Sequence, residues 1–489
     1  MERVIMRNTR KFLKIYGIAA AMLLLTLVLA ACGGETPTAT PTTTGVATIT
    51  SSATTAAATT GIASVAPATT AAVTPAATVT ASATPVAVVD ANLKTNLTVW
   101  FALPKGADSL FRDQLKRFGQ MYPNAKVNST TYTPEELSYQ MELATASGKI
   151  PDLVVAPSDY VTEFVTEKAL QSADKVFDKS FLDGFNANAM GVSNFGGTQW
   201  GIPYNYGGTA VMLYNKKLMD TPPATVSEMV TKAKEFNNRQ EKTQGISIDV
   251  NEPFWFAAWV GGFGGSLMDS NNQPTLNSPQ VINTLKFIND LVVKDKLANP
   301  GYEPSMNQTE YAFRDGRLAM MVTGDWSVPT YSTPATTGKA AKAGDDKLDL
   351  GVAPLPKIDS TGKSPIPFNN GRAFFFGTKS TGDQLKASKL FVEYLAKPEQ
   401  QAETLNKAYL LPATKVFLTS DAVQKDSIWS GLYAALELSK PQPNAPEMAA
   451  IWAAIRPNLE GVVANTIKPE DAANQMQQMA LDKIKLLNK

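Results

Sequence analysis

The sequence predicts an α/β fold divided into more than one compact unit. Its 489 residues exceed the length of about 250–300 residues at which a single hydrophobic core stops growing, so two or three units are expected. From residue 92 onward, short apolar runs alternate with longer amphipathic segments. Such alternation of strands and helices is typical of α/β proteins built on parallel sheets.

The first elements of this region establish the pattern. The helix predicted to begin at residue 134 opens with Glu135 and Glu136, whose negative charges suit the positive end of the helix macrodipole. Strands are predicted at 97–101, 124–130 and 152–156, and helices at 107–121 and 134–147.

The later elements repeat the alternation. Thr225 and Glu228 have the spacing of a capping box, and Ser278 followed by Pro279 favours the start of another helix. Strands are predicted at 209–214, 350–355 and 373–377, and helices at 384–396 and over most of 446–489.

One apolar run, residues 318–322, stops abruptly at Gly324, Asp325 and Trp326. We predict that Asp325 caps a following helix and leaves Trp326 at the carboxyl end of a strand, where open α/β sheets bind ligands. The alternative is a core tryptophan with its N–H satisfied, because most tryptophans are largely buried.

The amino terminus has the features of an export signal. Five basic residues lie within the first 14, and the uncharged apolar run 18–31 follows them, so we predict a signal peptide over residues 1–31. This run is too short to span a bilayer comfortably. Leu29-Ala30-Ala31-Cys32 resembles the bacterial lipobox, which implies cleavage before Cys32 and lipidation of its thiol. The alternative is an ordinary signal peptide with a chance cysteine.

Residues 32–91 are predicted to form a disordered tether after the lipidated cysteine. The stretch 36–89 consists mainly of Thr, Ala, Pro, Ser and Val and contains no charged or aromatic residue. It cannot bury enough apolar surface to fold. Cys32 is the only cysteine, so the folded part has no disulfide and depends on core packing.

Composition excludes several classes of function. The net charge is +1, which argues against a phosphate-binding surface for nucleic acid. The chain has no histidine, so histidine triads and histidine metal sites are ruled out. Hydrolysis by a pair of carboxylates needs no histidine and is not ruled out. We predict no cofactor and no metal site.

Several short motifs occur in a characteristic order. No single motif is specific, but together they resemble the extracellular solute-binding family typified by maltose/maltodextrin-binding proteins, the sugar-binding subunits of ABC importers. The segments are Gly148-x-x-Pro151-Asp152, Trp200-Gly201-Ile202-Pro203-Tyr204, Tyr214-Asn215-Lys216, Asn251-Glu252-Pro253-Phe254, 313–326, Val352-Ala353-Pro354-Leu355-Pro356 and Met448-x-x-x-Trp452-x-x-x-Arg456.

This resemblance implies a two-lobe periplasmic-binding-protein fold with hinge strands. Lobe one would comprise 92–206 and 353–412, and lobe two 207–351 and 418–489. The chain would cross between the lobes three times, near Gly207-Gly208, Val352 and Ala413. Ligand would lie between the lobes, and closing would be a hinge motion.

The resemblance also implies ligand-binding residues in lobe two. A sugar ring has apolar faces and a belt of hydroxyls, so it needs flat aromatic platforms with polar groups around them. Trp326 and Trp452 would be platforms and Arg456 a polar arm; the alternative for the latter two is a surface Trp–Arg stack. Glu252 would bind sugar hydroxyls and Phe254 would stack; the alternative for Glu252 is a helix-start glutamate.

Lobe one matches the family less closely. Asp159 corresponds to an acid that binds sugar hydroxyls, and Lys105 lies in the first-strand loop. Tyr160 stands where maltodextrin binders usually have arginine, while Tyr204 and Tyr206 are either aromatic contacts or ordinary packing. The loss of charged arms favours a neutral glycan over a sugar phosphate, which would favour clustered Arg or Lys.

The resemblance implies a binding protein without enzymatic activity. It would be a monomeric lipoprotein anchored on the outer side of the cytoplasmic membrane, and it would deliver a neutral sugar, of maltodextrin type, to an ABC permease. The alternatives are a surface glycoside hydrolase that uses two carboxylates, and a carbohydrate-binding adhesin or sensor with no role in transport.

Overall fold

The computed structural model describes residues 89–237, 243–298, 309, 312–332 and 349–487. The predicted signal peptide, Cys32 and all but the last three residues of the predicted tether lie outside the described residues. Within the ranges above, no helix is long and apolar enough to cross a membrane.

Two larger sheets and two short two-stranded pairings organise the described residues. The strands are β1 (Thr95–Phe101), β2 (Ala125–Thr131), β3 (Leu153–Pro157), β4 (Leu170–Gln171), β5 (Asn194–Phe195), β6 (Thr198–Gln199), β7 (Gly201–Pro203), β8 (Ala210–Asn215), β9 (Gln244–Ile248), β10 (Leu318–Gly324), β11 (Leu350–Ala353), β12 (Phe368–Asn369), β13 (Arg372–Gly377) and β14 (Lys440–Pro441).

The six-stranded sheet has the order β2-β1-β3-β13-β4, with β7 also paired to β13. Strands β1, β2 and β3 are parallel, as predicted. The parallel prediction is wrong for β13, which runs antiparallel to β3, β4 and β7. Hydrophobic periodicity carries no information on strand direction, and β13 arrives from more than 200 residues farther along the chain.

The four-stranded sheet has the order β11-β8-β10-β9. Strand β8 is antiparallel to both of its neighbours, whereas β9 is parallel to β10. The chain enters this sheet between β7 and β8 and leaves it after β11. We call the six-stranded sheet with its helices the first lobe and the four-stranded sheet with its helices the second lobe; the residue boundaries given above for the lobes stay predictions.

Helices pack against both sheets, and at least six of the described ones begin with a side chain that accepts a hydrogen bond from a backbone N–H of the first turn. They include Lys105–Met121, Pro134–Ser147, Val161–Thr166, Ala173–Val176, Lys179–Leu182, Ala187–Gly191, Val226–Phe236, Pro253–Gly262, Pro279–Asn289, Val328–Ser332, Gly382–Leu395, Pro398–Ala408, Lys415–Leu418, Asp421–Gln424, Ser427–Glu437, Glu447–Val463 and Pro469–Leu487, with single turns at Ser158–Tyr160, Asp290–Lys294 and Asp325–Ser327.

A continuous apolar core joins the two lobes in this conformation. Buried residues of the first sheet, such as Phe101 and Phe374, belong to the same cluster as Leu213 and Val352 of the second sheet. Helix Ser427–Glu437 packs against β11 and contributes buried residues to that cluster. This helix therefore contributes to the apolar core that the two lobes share.

Candidate functional site

A cavity of about 270 Å³ lies beyond the carboxyl ends of β3 and β10. Open α/β sheets bind ligands at this edge. Of the residues predicted to bind ligand, Asp159 and Trp326 line the cavity. The complete lining is Pro157, Asp159, Asn205, Gly208, Asp325, Trp326, Asn370, Gly371, Arg372, Tyr409, Leu410, Leu411 and Leu432.

Asp159 enters the cavity from the first lobe. It lies in the single turn Ser158–Tyr160 that follows β3 directly. Burial raises the pKa of its carboxyl group, while its backbone hydrogen bond and the charge of Arg372 oppose that rise. The carboxylate is thus placed to accept hydrogen bonds from a ligand at the end of the strand.

Arg372, the first residue of β13, is a cavity residue that the sequence analysis missed. Its Nε donates a hydrogen bond to the carbonyl oxygen of Ala102 at 3.1 Å. Burial lowers the pKa of the guanidinium, and the nearby Tyr204, Asp325 and Asp159 oppose that effect. A signal was available, because Arg372 is the one charged residue at the head of the apolar run 373–376.

Asp325 does not act as the helix cap that the sequence predicted. Both of its carboxylate oxygens accept a hydrogen bond from the N–H of Gly208 at 3.0 Å, and one also accepts from Thr209 at 3.2 Å. The N–H of Asp325 donates in return to the carbonyl oxygen of Thr209 at 3.0 Å. The end of β10 is therefore tied to the segment that enters the second lobe, because tertiary donors satisfy the carboxylate.

We predict that Asp325 links stability to pH. Burial raises its folded-state pKa to about 6, against about 3.9 in the unfolded chain. Between about pH 4 and about pH 6 the folded state binds more protons than the unfolded state. The stabilisation that protonated Asp325 provides is therefore fully present below about pH 4 and is lost as pH rises through 6. The stability of the wild type relative to Asp325→Asn should therefore fall by about 2 kcal/mol between pH 4 and pH 7. Urea unfolding of both proteins across this range measures the difference; a constant difference contradicts the prediction.

Trp326 is a surface residue of the cavity, so the core alternative for it is wrong. Its side chain is 54% exposed. The indole stacks on Trp255, with ring centroids 5.7 Å apart and planes inclined by 25°, and Phe254 lies 6.2 Å away. Gly324 lets the ring lie against the backbone, since a Cβ there would fall 2.3 Å from indole carbons. Trp326 is consequently a supported aromatic platform, and Trp255 is a supporting residue that the sequence analysis did not identify.

Glu252 and Arg456 form an ion pair in the second lobe. The two side chains are 2.5 Å apart, and this hydrogen bond raises the pKa of Arg456. Glu252 also accepts a hydrogen bond from the N–H of Phe254 at 3.2 Å, at the start of helix Pro253–Gly262. The helix-start alternative for Glu252 is therefore present together with a polar contact to Arg456.

Trp452 lies one helical turn before Arg456 and is half-buried. Its ring meets Phe368 edge-on, with centroids 6.0 Å apart and planes at 85°. Neither Trp452 nor Arg456 lines the cavity. A series of contacts connects Arg456 to the cavity. Trp326 contacts Phe254, the N–H of Phe254 donates to Glu252, and Glu252 pairs with Arg456.

Tyr204 and Tyr206 are buried, as the packing alternative expects, and ligand contact by either residue stays a prediction. Tyr204 is 4% exposed, and its ring packs edge-on against Phe111 and Phe374. Tyr206 is 1% exposed, and its hydroxyl donates a hydrogen bond to the carbonyl oxygen of Leu436 at 2.8 Å. Both side chains belong to the apolar cluster that the lobes share, and neither lines the cavity.

Lys105 and Tyr160 lie outside the cavity lining. Lys105 is exposed at the first position of helix Lys105–Met121. Tyr160 is half-buried, its ring lies edge-on to Phe164 at 5.9 Å, and burial raises its pKa to about 12. Ligand contact by these two residues stays a prediction.

The chain is similar to known solute-binding proteins over most of its length. Residues 113–430 match the family model described as bacterial extracellular solute-binding protein. The maltotriose-binding protein of Pyrococcus abyssi is 24% identical over 370 residues, which cover 75% of this chain and 77% of that protein. The maltooligosaccharide ABC transporter solute-binding lipoprotein of Streptococcus pneumoniae is 23% identical over 354 residues, covering 71% and 79%.

The fold is shared with a solved structure of the same kind. The maltose/maltodextrin-binding domain MalE from Bdellovibrio bacteriovorus, bound to maltotriose, matches with a TM-score of 0.66 and 25% identity. The match covers 80% of this chain and 100% of that one. Since the family model spans more than half of the 489 residues, the chain belongs to the bacterial extracellular solute-binding protein family, a family of binding proteins rather than enzymes.

Proposed function

We propose that the protein captures a neutral oligosaccharide of the maltodextrin type between its lobes and delivers it to an ABC import permease. The observation that carries this proposal is Trp326, an exposed indole supported by Trp255 at the wall of the cavity. The apolar C–H face of a sugar ring packs on such a surface. Asp159 and Asn370, which also line the cavity, offer hydrogen-bonding groups to the hydroxyl belt.

A series of side-chain contacts that leads away from the cavity favours an oligosaccharide over a single sugar as the ligand. Trp326, Phe254, Glu252, Arg456 and Trp452 form what we call the aromatic–polar strip, in which successive members are linked by ring contacts, hydrogen bonds or one helical turn. The strip begins at the cavity and continues along the second lobe. Flat rings at both ends of the strip, with charged groups between them, suit successive sugar units. The relatives named for maltotriose and maltooligosaccharides agree with this ligand class.

We predict that maltotriose and longer maltodextrins bind with a Kd in the micromolar range or tighter. Each hydrogen bond contributes roughly 1 kcal/mol and each aromatic stack about as much, and closure and ordering costs offset part of that sum. Glucose should bind more weakly because it cannot cover the strip. Titration calorimetry of the protein without its predicted signal peptide and lipid measures the Kd for maltodextrins and for glucose. Flat titrations across a broad panel of neutral glycans would overturn the sugar proposal.

We further propose that Cys32 carries a lipid that anchors the protein, as a monomer, on the outer side of the cytoplasmic membrane. The wild type should sediment with membranes and incorporate a labelled palmitate analogue, whereas Cys32→Ser should lose both properties. Because Cys32 is the only cysteine, it is the only thiol available for thioether lipidation. Persistent labelling and membrane retention of the serine variant would exclude this anchor.

A further inference from the structure

Arg372 is held firmly at the cavity wall. Its backbone N–H donates to Oδ1 of Asn205 at 3.0 Å, and its carbonyl oxygen accepts from the N–H of Tyr204 at 2.7 Å. Its side-chain Nε donates to the carbonyl oxygen of Ala102 at 3.1 Å. Three hydrogen bonds therefore fix both the backbone and the stem of the guanidinium before any ligand arrives.

The two terminal nitrogens of the guanidinium have N–H donors that are not used in hydrogen bonds to the described residues. A guanidinium carries five N–H donors, and the Nε bond to Ala102 uses one of them. Across the ranges that the structure describes, Arg372 makes no salt bridge and no hydrogen bond through its Nη atoms. Arg372 is half-buried, and its Nη atoms keep donors that water or a ligand in the cavity can satisfy. The cavity that Arg372 lines is where acceptors can be supplied.

The charges around Arg372 favour uncharged hydrogen-bond acceptors on the ligand over anionic ones. Asp159 and Asp325 line the same cavity, and both act electrostatically on the guanidinium. With both carboxylates ionised, the three groups sum to one negative charge. An anionic ligand would meet net repulsion there, whereas hydroxyl oxygens could accept from the guanidinium without it. Asp325 accepts hydrogen bonds from the N–H groups of Gly208 and Thr209, and an ionised carboxylate has no proton to donate, so it cannot replace Arg372 as a donor.

We propose that Arg372 is a specificity-determining ligand contact, whose terminal nitrogens donate hydrogen bonds to hydroxyl oxygens of an uncharged sugar. This inference rests on the proposed sugar-binding function. It gives the first lobe a charged arm at the base of β13, in a different segment from the one where maltodextrin binders were expected to carry arginine. The second lobe supplies the aromatic platform of the same cavity, Trp326.

The test compares Arg372→Met with the wild type by calorimetry against maltotriose. Methionine keeps an unbranched apolar stem and removes the donors, so affinity should fall at least about tenfold. Arg372→Lys keeps the charge but changes the donor geometry, so the affinity of this variant should fall by less. Arg112→Met is the matched control, since it removes a guanidinium from the same lobe outside the cavity, and it should bind as the wild type does. Thermal unfolding verifies that each variant is folded; if the methionine variant is not, the lysine variant decides.

A second arm tests the charge argument with a maltotriose oxidised to the uronate at C6. The wild type should bind this anion at least about tenfold more weakly than maltotriose. Equal or tighter binding of the uronate overturns the proposal, as does unchanged maltotriose affinity in Arg372→Met. Unchanged affinity in that variant leaves the sugar-binding function intact. A wild type that binds neither compound overturns the proposed function together with the role of Arg372.

Discussion

Replacing Trp326 with alanine should weaken maltotriose binding by about one order of magnitude or more while the fold stays intact. The side chain is 54% exposed, so it contributes little to the core, and its loss should change the free energy of unfolding by less than about 1 kcal/mol. Removing the platform forfeits an aromatic stack and the apolar area that a sugar ring would cover, together about 1–3 kcal/mol. Calorimetry and urea unfolding measure the two quantities separately.

Two variants make this result specific to the platform. Trp326→Phe retains a flat ring beside Trp255 and should recover most of the affinity. Trp200→Ala removes a half-buried tryptophan of the first lobe, whose indole N–H donates to the carbonyl oxygen of Phe195 at 3.0 Å. That variant should lose stability and keep its affinity, the reverse of the Trp326 pattern. Extensive unfolding of Trp326→Ala would instead make Trp326 a structural residue.

Gly208→Ala should destabilise the protein by about 2–5 kcal/mol. Gly208 has a φ of +75°, a left-handed conformation that costs a side-chain-bearing residue roughly 1–2 kcal/mol. A Cβ would also lie 2.1 Å from Oδ1 of Asn370 and 3.0 Å from its backbone nitrogen. Relief of that overlap requires movement of the strand end beside the cavity, at an additional cost of about 1–3 kcal/mol.

Gly362→Ala separates the two contributions. Gly362 has a similar φ of +65°, but no atom lies within 4 Å of a Cβ built there. Its substitution should therefore cost only the conformational part, roughly 1–2 kcal/mol. Equal destabilisation of the two alanine variants in urea would show that the contact between Gly208 and Asn370 can relax freely. A larger loss at Gly208 supports a tightly packed connection between the lobes.

Helix limits were predictable where the signals are local. Helix Pro134–Ser147 has the predicted bounds, because Thr133 and Glu136 form a capping box at its start and Gly148 ends it in a left-handed conformation. These signals act within a few residues and need no tertiary partner. The direction of β13 had no such local signal, because it depends on which strands lie beside it.

Aromatic residues at strand ends show where sequence reasoning about the site reaches its limit. Trp326 and Tyr204 both follow short apolar strands. Trp326 is an exposed platform, whereas Tyr204 is enclosed by Phe111 and Phe374, which come from distant parts of the chain. The lone charge of Arg372 before an apolar run is visible in the sequence, but its neighbours do not show that the fold brings Asp159 and Asp325 to the same cavity.

The sequence alone determined the α/β class, the placement of most helices and strands, and the presence of a tryptophan at the end of β10. Each of these rests on interactions among residues a few positions apart. The tertiary structure alone decided that Asp325 binds Gly208, which is 117 positions away in the chain, that Tyr204 is buried, and that Arg372 lines the cavity. Burial, strand direction and the balance of charge in a cavity depend on which distant segments come together, and local patterns do not encode that.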